Sequence, residues 1–156
     1  MKKLVFTVIA LFTFSLGISL AQTVDEEIKL VQDAFGKDKK SLVEAYMSLS
    51  PEKAATFWTV YEAFEADRKE IGKERIMIIN DYIEKYGHIG DAEAEELAMR
   101  SLKNDAALNK LYSSYFPKFK KATSSLDAAK FLQIEFYITN TIRNAVQQGL
   151  PFIDEI

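Results

Sequence analysis

The chain has 156 residues, no cysteine, and 23 acidic against 20 basic residues, which gives a formal net charge of −3 at neutral pH. The lack of cysteine excludes disulfides, thiolate metal sites and a cysteine nucleophile. The acidic balance argues against a generally basic nucleic-acid binder, and the length suits one domain with a core of its own.

Segment 1–21 has the pattern of a secretory signal peptide. Two lysines give it a positive start, a mostly apolar run follows, and Ser19-Leu20-Ala21 provides a small-x-small cleavage site. The alternative, an uncleaved membrane anchor, needs about 20 apolar residues, and this run is short for that. We therefore expect cleavage before Gln22 and a soluble mature chain that is periplasmic or secreted. Cleavage leaves 18 basic against 23 acidic residues, a formal charge of −5.

Helical periodicity dominates segment 22–156, which we interpret as a single helical domain. Apolar residues recur at steps of three and four, and strand-like alternation with turn dipeptides is missing. Residues 37–40 are predicted to form a charged connector or a frayed turn, before a short apolar helical piece over 42–49. The first predicted helix, which precedes this connector and ends near Gly36, carries the stripe Val24, Ile28, Val31 and Phe35.

The second main helix has the clearest start in the sequence. Ser50 can cap its free N–H groups, and Pro51 fits the first helical position. About 36 helical residues would follow before a break at 87–90, which makes a rod of roughly 54 Å that needs packing partners. Its apolar stripe, which includes two arginines, consists of Phe57, Tyr61, Phe64, Arg68, Ile71, Arg75, Ile78, Tyr82 and Tyr86.

Two further helices complete the predicted fold. Asp91 can cap the third, and Pro117 is expected to kink it near its end. The fourth runs from about Asp127 to a stop at 149–151 and is apolar over a broad arc. The sequence therefore predicts an all-α fold of elongated helical hairpins or a bundle, with about four main helices. An isolated elongated hairpin buries little surface, which favours a homodimer.

A short pattern occurs twice, as Leu49-Ser50-Pro51-Glu52-Lys53 and as Leu126-Asp127-Ala128-Ala129-Lys130. Each copy places leucine just outside a helix, a capping side chain next, and lysine at the third helical position. In the second copy, Leu126 can pack against Phe131 as a hydrophobic staple. Both lysines are expected to be solvated. Either copy alone would be an ordinary helix start.

This pair of motifs, with the predicted signal peptide and the cysteine-free helices, resembles the Spy/CpxP family of periplasmic helical proteins. The hallmark of that family is a twice-repeated Leu-Thr-x-x-Gln. In this chain the Thr positions hold Ser50 and Asp127, and the Gln positions hold Lys53 and Lys130. The resemblance covers roughly residues 45–153. It implies a cradle-shaped homodimer that holds partly unfolded clients on its concave face or senses envelope stress.

Motifs for catalysis or cofactor binding are missing from the sequence. No Gly-rich phosphate loop, Rossmann fingerprint or EF-hand pattern is present. The one histidine, His88, lies in a loop that contains two glycines, and no serine stands in a nucleophile motif. We therefore expect no enzymatic activity, no metal and no cofactor; an envelope enzyme that uses His88 is the least favoured class. The acidic residues that follow complement a helix dipole and are Asp91, Glu93, Glu95 and Glu96.

The long second helix offers the best candidate surface for binding a client, formed by Phe64, Arg68, Ile71 and Arg75. An arginine in an apolar stripe can lie on an open surface, with its stem on apolar groups and its charge in water. It can equally pair inside the protein with a group such as Glu135. The open surface would suit an ATP-independent chaperone-like protein that binds polypeptides in the bacterial envelope. The alternative function is an envelope-stress regulator that docks on the sensor domain of a membrane signalling protein.

Overall fold

A computed structural model describes residues 24–153 of the chain, so the predicted signal peptide lies outside the described residues. The described part is all helical, with no strand, which confirms the prediction of an all-α fold with four main helices. The four helices are α1 (Val24–Met47), α2 (Pro51–Lys85), α3 (Asp91–Ala122) and α4 (Ser125–Gln147).

The helices form an antiparallel ring. The contact between α2 and α3 is the most extensive, followed by that between α3 and α4, and α1 closes the ring by packing on α4 and α2. Short turns at 48–50, 86–90 and 123–124 reverse the chain each time. The result is an up-down-up-down four-helix bundle. We call the end with the turns at 48–50 and 123–124 the base, and the end with the turn at 86–90 the distal end.

Aromatic side chains fill the core near the base. Phe119 of α3 and Phe131 of α4 have ring centroids 4.3 Å apart, and Phe57 of α2 lies 5.3 Å from the first and 5.4 Å from the second. Phe64 adds a further edge contact at 5.5 Å to Phe131. These four rings are at most 3% exposed, and Phe57 and Phe64 lie on the apolar stripe predicted for the second helix.

Helix α1 is longer than predicted. It continues through Gly36 and through 37–40, so the prediction of a break and a charged connector there is wrong. A glycine inside a helix costs about 1 kcal/mol relative to alanine. The buried face that follows, with Val43 at 0% and Met47 at 3% exposure, stabilises more than this cost.

Helix starts and stops differ in detail from the predictions. The residue at the start of α3 is Gly90, and no side chain caps this helix, so the predicted cap by Asp91 does not form. Helix α3 continues past Pro117 to its end, while α2 stops before Gly87, whose φ of 89° suits glycine. None of the helices in the described residues combines the length and apolar character needed to cross a membrane.

Candidate functional site

Four charged side chains meet inside the bundle, where α1, α2 and α4 adjoin. The Nζ atom of Lys39 on α1 lies 2.7 Å from Oε1 of Glu135 on α4, and it also pairs with Glu65 on α2. The Nε atom of Arg68 on α2 lies 3.5 Å from Oε2 of Glu135. The side chains of Lys39 and Glu135 are fully buried, while those of Glu65 and Arg68 are 14% and 16% exposed. Two cations balance two carboxylates in this charge cluster, which permits their burial.

Burial is the largest single influence on the pKa values of Lys39, Arg68 and Glu135. It raises the pKa of the Glu135 carboxyl, against the opposing charges of Lys39 and Arg68. It lowers the pKa of the Lys39 ammonium, which Glu135 opposes. Burial would also lower the pKa of Arg68, but Glu135 and Glu65 outweigh it, so that pKa is raised. The guanidinium is therefore the fixed positive charge of the cluster.

The walls of the charge cluster are aromatic. The Nζ atom of Lys39 lies 5.9 Å from the ring centre of Tyr61 and 5.3 Å from that of Phe64. A cation over aromatic faces is attracted by the ring electrons, and more strongly when water is excluded. Burial, and then the charge of Glu65, raises the pKa of Tyr61, so its phenol stays neutral beside the carboxylates. The Lys39 ammonium is thus held by aromatic rings as well as by carboxylates.

The sequence did not identify Lys39 as a core residue, because Lys39 lies within 37–40, which was predicted to be a connector or a frayed turn. A signal was nevertheless present in the spacing of the chain. Glu135 follows Phe131 by four positions, as expected for a residue on the core face of α4. The same four-residue spacing places Lys39 within an apolar stripe of α1 made of Phe35, Lys39, Val43 and Met47.

The predicted client-binding surface does not form an exposed stripe. Phe64 is 1% exposed and belongs to the core, and Arg68 pairs with Glu135 as the second interpretation of the sequence had it. Ile71 is half-buried, and its carbonyl accepts a hydrogen bond of 2.8 Å from a buried asparagine. Arg75 pairs with an aspartate of α3. In the folded chain, these four residues hold helices together.

The two copies of the repeated motif meet at the base of the bundle. The Nζ atom of Lys53, in the first copy, donates a hydrogen bond of 2.7 Å to Oδ2 of Asp127, in the second. The same carboxylate oxygen accepts a hydrogen bond of 2.7 Å from the Ser124 hydroxyl. The pKa of Asp127 is lowered, first by the hydrogen bond from Lys53 and then by that from Ser124. The predicted solvation of Lys53 is therefore corrected to an ion pair between helix starts.

The capping roles of the repeated motif also change. Ser50 lies at the start of α2, before Pro51, but its side chain makes no capping hydrogen bond. The cap of α4 is Ser124, whose hydroxyl accepts a hydrogen bond of 3.1 Å from the backbone N–H of Asp127. Asp127 is thus the third residue of α4 and not its cap. The sequence Ser-x-x-Asp at this point is the signal that could have identified the true cap.

The remaining motif residues divide between the core and the surface. Leu49 packs against the core, whereas Leu126 is 80% exposed and forms no staple with Phe131. Lys130 is exposed, and its Nζ atom lies 3.5 Å from the carbonyl oxygen of Met47. The contact brings the start of α4 beside the end of α1.

Exposed apolar side chains concentrate toward the distal end. Arg100 of α3 binds two carboxylates of α2, those of Glu74 and Asp81. Met77 lies on the same face of α2 as these two acids, since it follows the first by three positions and precedes the second by four. Helix α3 exposes two apolar side chains three positions apart, which share one face of that helix, whereas Arg100 is directed to α2. We call Met77, Met99 and Leu102, which are 39%, 59% and 63% exposed, the distal apolar surface.

The single histidine lies in the turn at the distal end. His88 is exposed in the distal turn, and its backbone N–H donates to the carbonyl of Lys85 at 2.9 Å. Within residues 24–153, no group of acidic and histidine side chains is arranged to hold a metal ion.

The described fold and its sites define an antiparallel four-helix bundle with a buried charge cluster and an exposed distal apolar surface. Comparison of the chain with protein-family models, with curated proteins and with solved structures finds no significant match.

Proposed function

We propose that this chain is an ATP-independent, chaperone-like protein that binds polypeptides in the bacterial envelope and has no catalytic role. The observation that carries the proposal is the distal apolar surface, whose three side chains, those of Met77, Met99 and Leu102, are each more than a third exposed. Methionine side chains are unbranched and adapt to many apolar partners. Large apolar side chains exposed near one end of a folded protein are candidates for an interaction site.

The composition of the surface favours a polypeptide over a small molecule. Exposed apolar side chains and the charged groups of Arg100, Glu74 and Asp81 lie toward the same end of the bundle, so both apolar and charged groups of a client can find a partner there. Among the core rings near Phe64 and Phe119 the bundle is closed, because the cavity there is only about 10 Å³. Such a space holds at most one water molecule.

The finer parts of the proposal are a periplasmic location after removal of 1–21, a Spy/CpxP-like architecture and a homodimer. The repeated motif supports the Spy/CpxP-like architecture, because its two copies adjoin through the Lys53–Asp127 ion pair. Exposed apolar residues at both ends of the bundle support the homodimer, since a second chain would cover part of them.

The test is an aggregation assay with several unrelated unfolded clients at stoichiometric amounts. The mature chain should suppress aggregation, and Met99→Glu with Leu102→Glu should abolish that suppression because charges replace the apolar contact. The matched control is Tyr137→Glu, which changes a 51% exposed side chain on α4. The helical circular dichroism of all three chains should agree.

Two results would contradict the proposal. Equal suppression by the double variant and the parent would place client binding elsewhere. A parent chain that leaves every unrelated client to aggregate would exclude a general chaperone and leave the sensor-docking regulator as the supported function.

A further inference from the structure

Helix α1 is the separable part of the bundle. All ring–ring contacts in the described core connect side chains of α2, α3 and α4, and α1 contributes none of them. Helix α1 adds Val43 and Met47 to the core, packs Phe35 and Leu42 against it, and places Lys39 in the charge cluster. The aromatic packing among the other three helices is therefore formed without a ring from α1.

The groove that α1 fills, between α2 and α4, is complementary in charge and shape to a particular helix. It presents the carboxylates of Glu65 and Glu135 to an ammonium group, between the rings of Tyr61 and Phe64. Without this ammonium, Glu135 would be buried beside only the more distant Arg68. The groove therefore needs a helix with lysine at the position of Lys39. A second copy of the chain carries the same helix, so its complementarity to the groove is identical.

The turn between α1 and α2 has only three residues, 48–50, and it is strained. Ser48 has φ of 49°, in the left-handed region that residues other than glycine rarely adopt. Straightening the turn would release this strain and carry α1 away from its own groove. Short, strained hinges are the feature that promotes exchange of an element between chains.

Exposed apolar residues flank this same turn. Tyr46, on α1, is 52% exposed, and Leu126, at the start of α4, is 80% exposed. The contact of Lys130 with the carbonyl of Met47 places the two helix ends side by side at the base. A partner chain that joins the molecule at this end would cover both residues.

We propose that two copies of this chain exchange α1, so that the Lys39 of each copy enters the groove of the other and pairs with its Glu65 and Glu135. The exchange is twofold and self-complementary, because every contact in one direction recurs in the other. It deepens the homodimer of the proposed function and rests on that part of it, while polypeptide binding at the distal apolar surface is independent of it.

The direct test uses a cross-link, since the chain has no cysteine of its own. The Nε2 atom of Gln32 on α1 donates to the carbonyl of Lys69 at 2.8 Å, and a Cβ added at Gly72 would lie 3.8 Å from it. Chains with Gln32→Cys and chains with Gly72→Cys are unfolded together, refolded and treated with a short thiol cross-linker. Exchange predicts a covalent heterodimer and twice the monomer mass by light scattering.

The matched measurement places both cysteines in one chain. Cross-linking within single chains at monomer mass would overturn the exchange. A dimer by mass in which the separately substituted chains do not cross-link would overturn it too, since that dimer would form through another surface. Mixed chains that cross-link only when denatured together, and not when mixed folded, support exchange during folding.

The hinge supplies a second, independent test. Ser48→Gly relieves the strained turn, and five flexible residues inserted after Leu49 let α1 fold back easily. Each should raise the dimer dissociation constant by roughly tenfold or more, because both turns of a dimer are affected. The same insertion after His88, in the distal turn, is the control and should leave the dissociation constant unchanged. Equal dissociation constants for all variants would contradict the exchange.

The two proposals fail separately. Loss of aggregation suppression in a chain that still cross-links between copies would reject the chaperone-like function and keep the exchange. Suppression of aggregation by a strictly monomeric chain would keep the chaperone-like function and reject the exchange.

Discussion

The ammonium nitrogen of Lys39 lies 2.7 Å from the carboxylate of Glu135, and neither side chain has any exposed surface. A buried ion pair adds little net stability compared with a well-packed apolar pair, but removal of one partner is costly. The pair therefore fixes where α1 lies along α4. A shift of α1 by a single residue would separate Lys39 from Glu135 and leave both charges buried without each other.

Lys39→Met should destabilise the bundle by about 3–5 kcal/mol at neutral pH, since it leaves Glu135 without its ammonium partner. The measurement is the urea midpoint of unfolding followed by helical circular dichroism. Lys37→Met is the matched control, because Lys37 is exposed on the same helix, and its effect should stay within about 0.5 kcal/mol.

Lys39→Met combined with Glu135→Leu should recover most of the lost stability, because an apolar pair replaces the buried charges. Equal midpoints for the parent and Lys39→Met would show that the cluster does not hold α1 in place.

The two helix starts with serine should respond differently to alanine. Ser124→Ala removes the hydroxyl that accepts the Asp127 N–H, and should cost about 0.5–2 kcal/mol. Ser50→Ala removes no capping hydrogen bond and should change stability by less than about 0.5 kcal/mol. Unfolding midpoints in urea compare the two variants directly. A larger loss in Ser50→Ala than in Ser124→Ala would contradict the assignment.

The Lys53–Asp127 pair should weaken in acid. Hydrogen bonds from Lys53 and Ser124 lower the pKa of Asp127 below its ordinary value of 3.8 in the folded chain. The resulting stabilisation is complete above pH 3.8 and is lost as the pH falls through the folded pKa. Because Lys53 is 44% exposed, solvent screening limits the effect to about 1 kcal/mol or less.

Asp127→Asn tests this window. The variant should be less stable than the parent at neutral pH, and the difference should shrink as the pH falls below 3.8. Unfolding curves at several pH values measure it, and added salt should also reduce it. A difference that grows in acid would contradict the assigned ion pair.

Tyr115 should contribute to the alkaline limit of stability. Its hydroxyl donates a hydrogen bond of 2.7 Å to Oδ2 of Asp67, which raises its pKa from 10.0 to about 12. The stabilisation is therefore present below pH 10 and lost as the pH rises toward 12. Tyr115→Phe should cost about 1 kcal/mol at neutral pH and abolish this part of the alkaline loss. Phenolate absorbance and unfolding midpoints report both effects, with Tyr46→Phe, on an exposed tyrosine, as control.

The helical class of this protein and its aromatic core follow from the sequence alone. Phe57, Tyr61 and Phe64 recur on the predicted stripe of the second helix, and each is at most 3% exposed in the fold. The spacing of apolar residues along one helix is a local property. It predicts which face of the helix is buried in almost any bundle, whichever helices pack against that face. The predicted break at Gly36 failed because a local cost is small beside the packing of the helix that continues through it.

Only the tertiary structure decided which charged side chains are buried and which residues at the helix starts form caps or ion pairs. Lys39 and Arg68 stand on apolar stripes, and a stripe by itself permits either a solvated or a buried cation. The outcome depends on carboxylates that approach from other helices, Glu135 foremost. Likewise, the sequence marks Asp127 as polar at a helix start, but its role was set by Lys53, which lies 74 positions away in the chain. An ion pair is formed by distance in space, and periodicity along one helix carries no information about it.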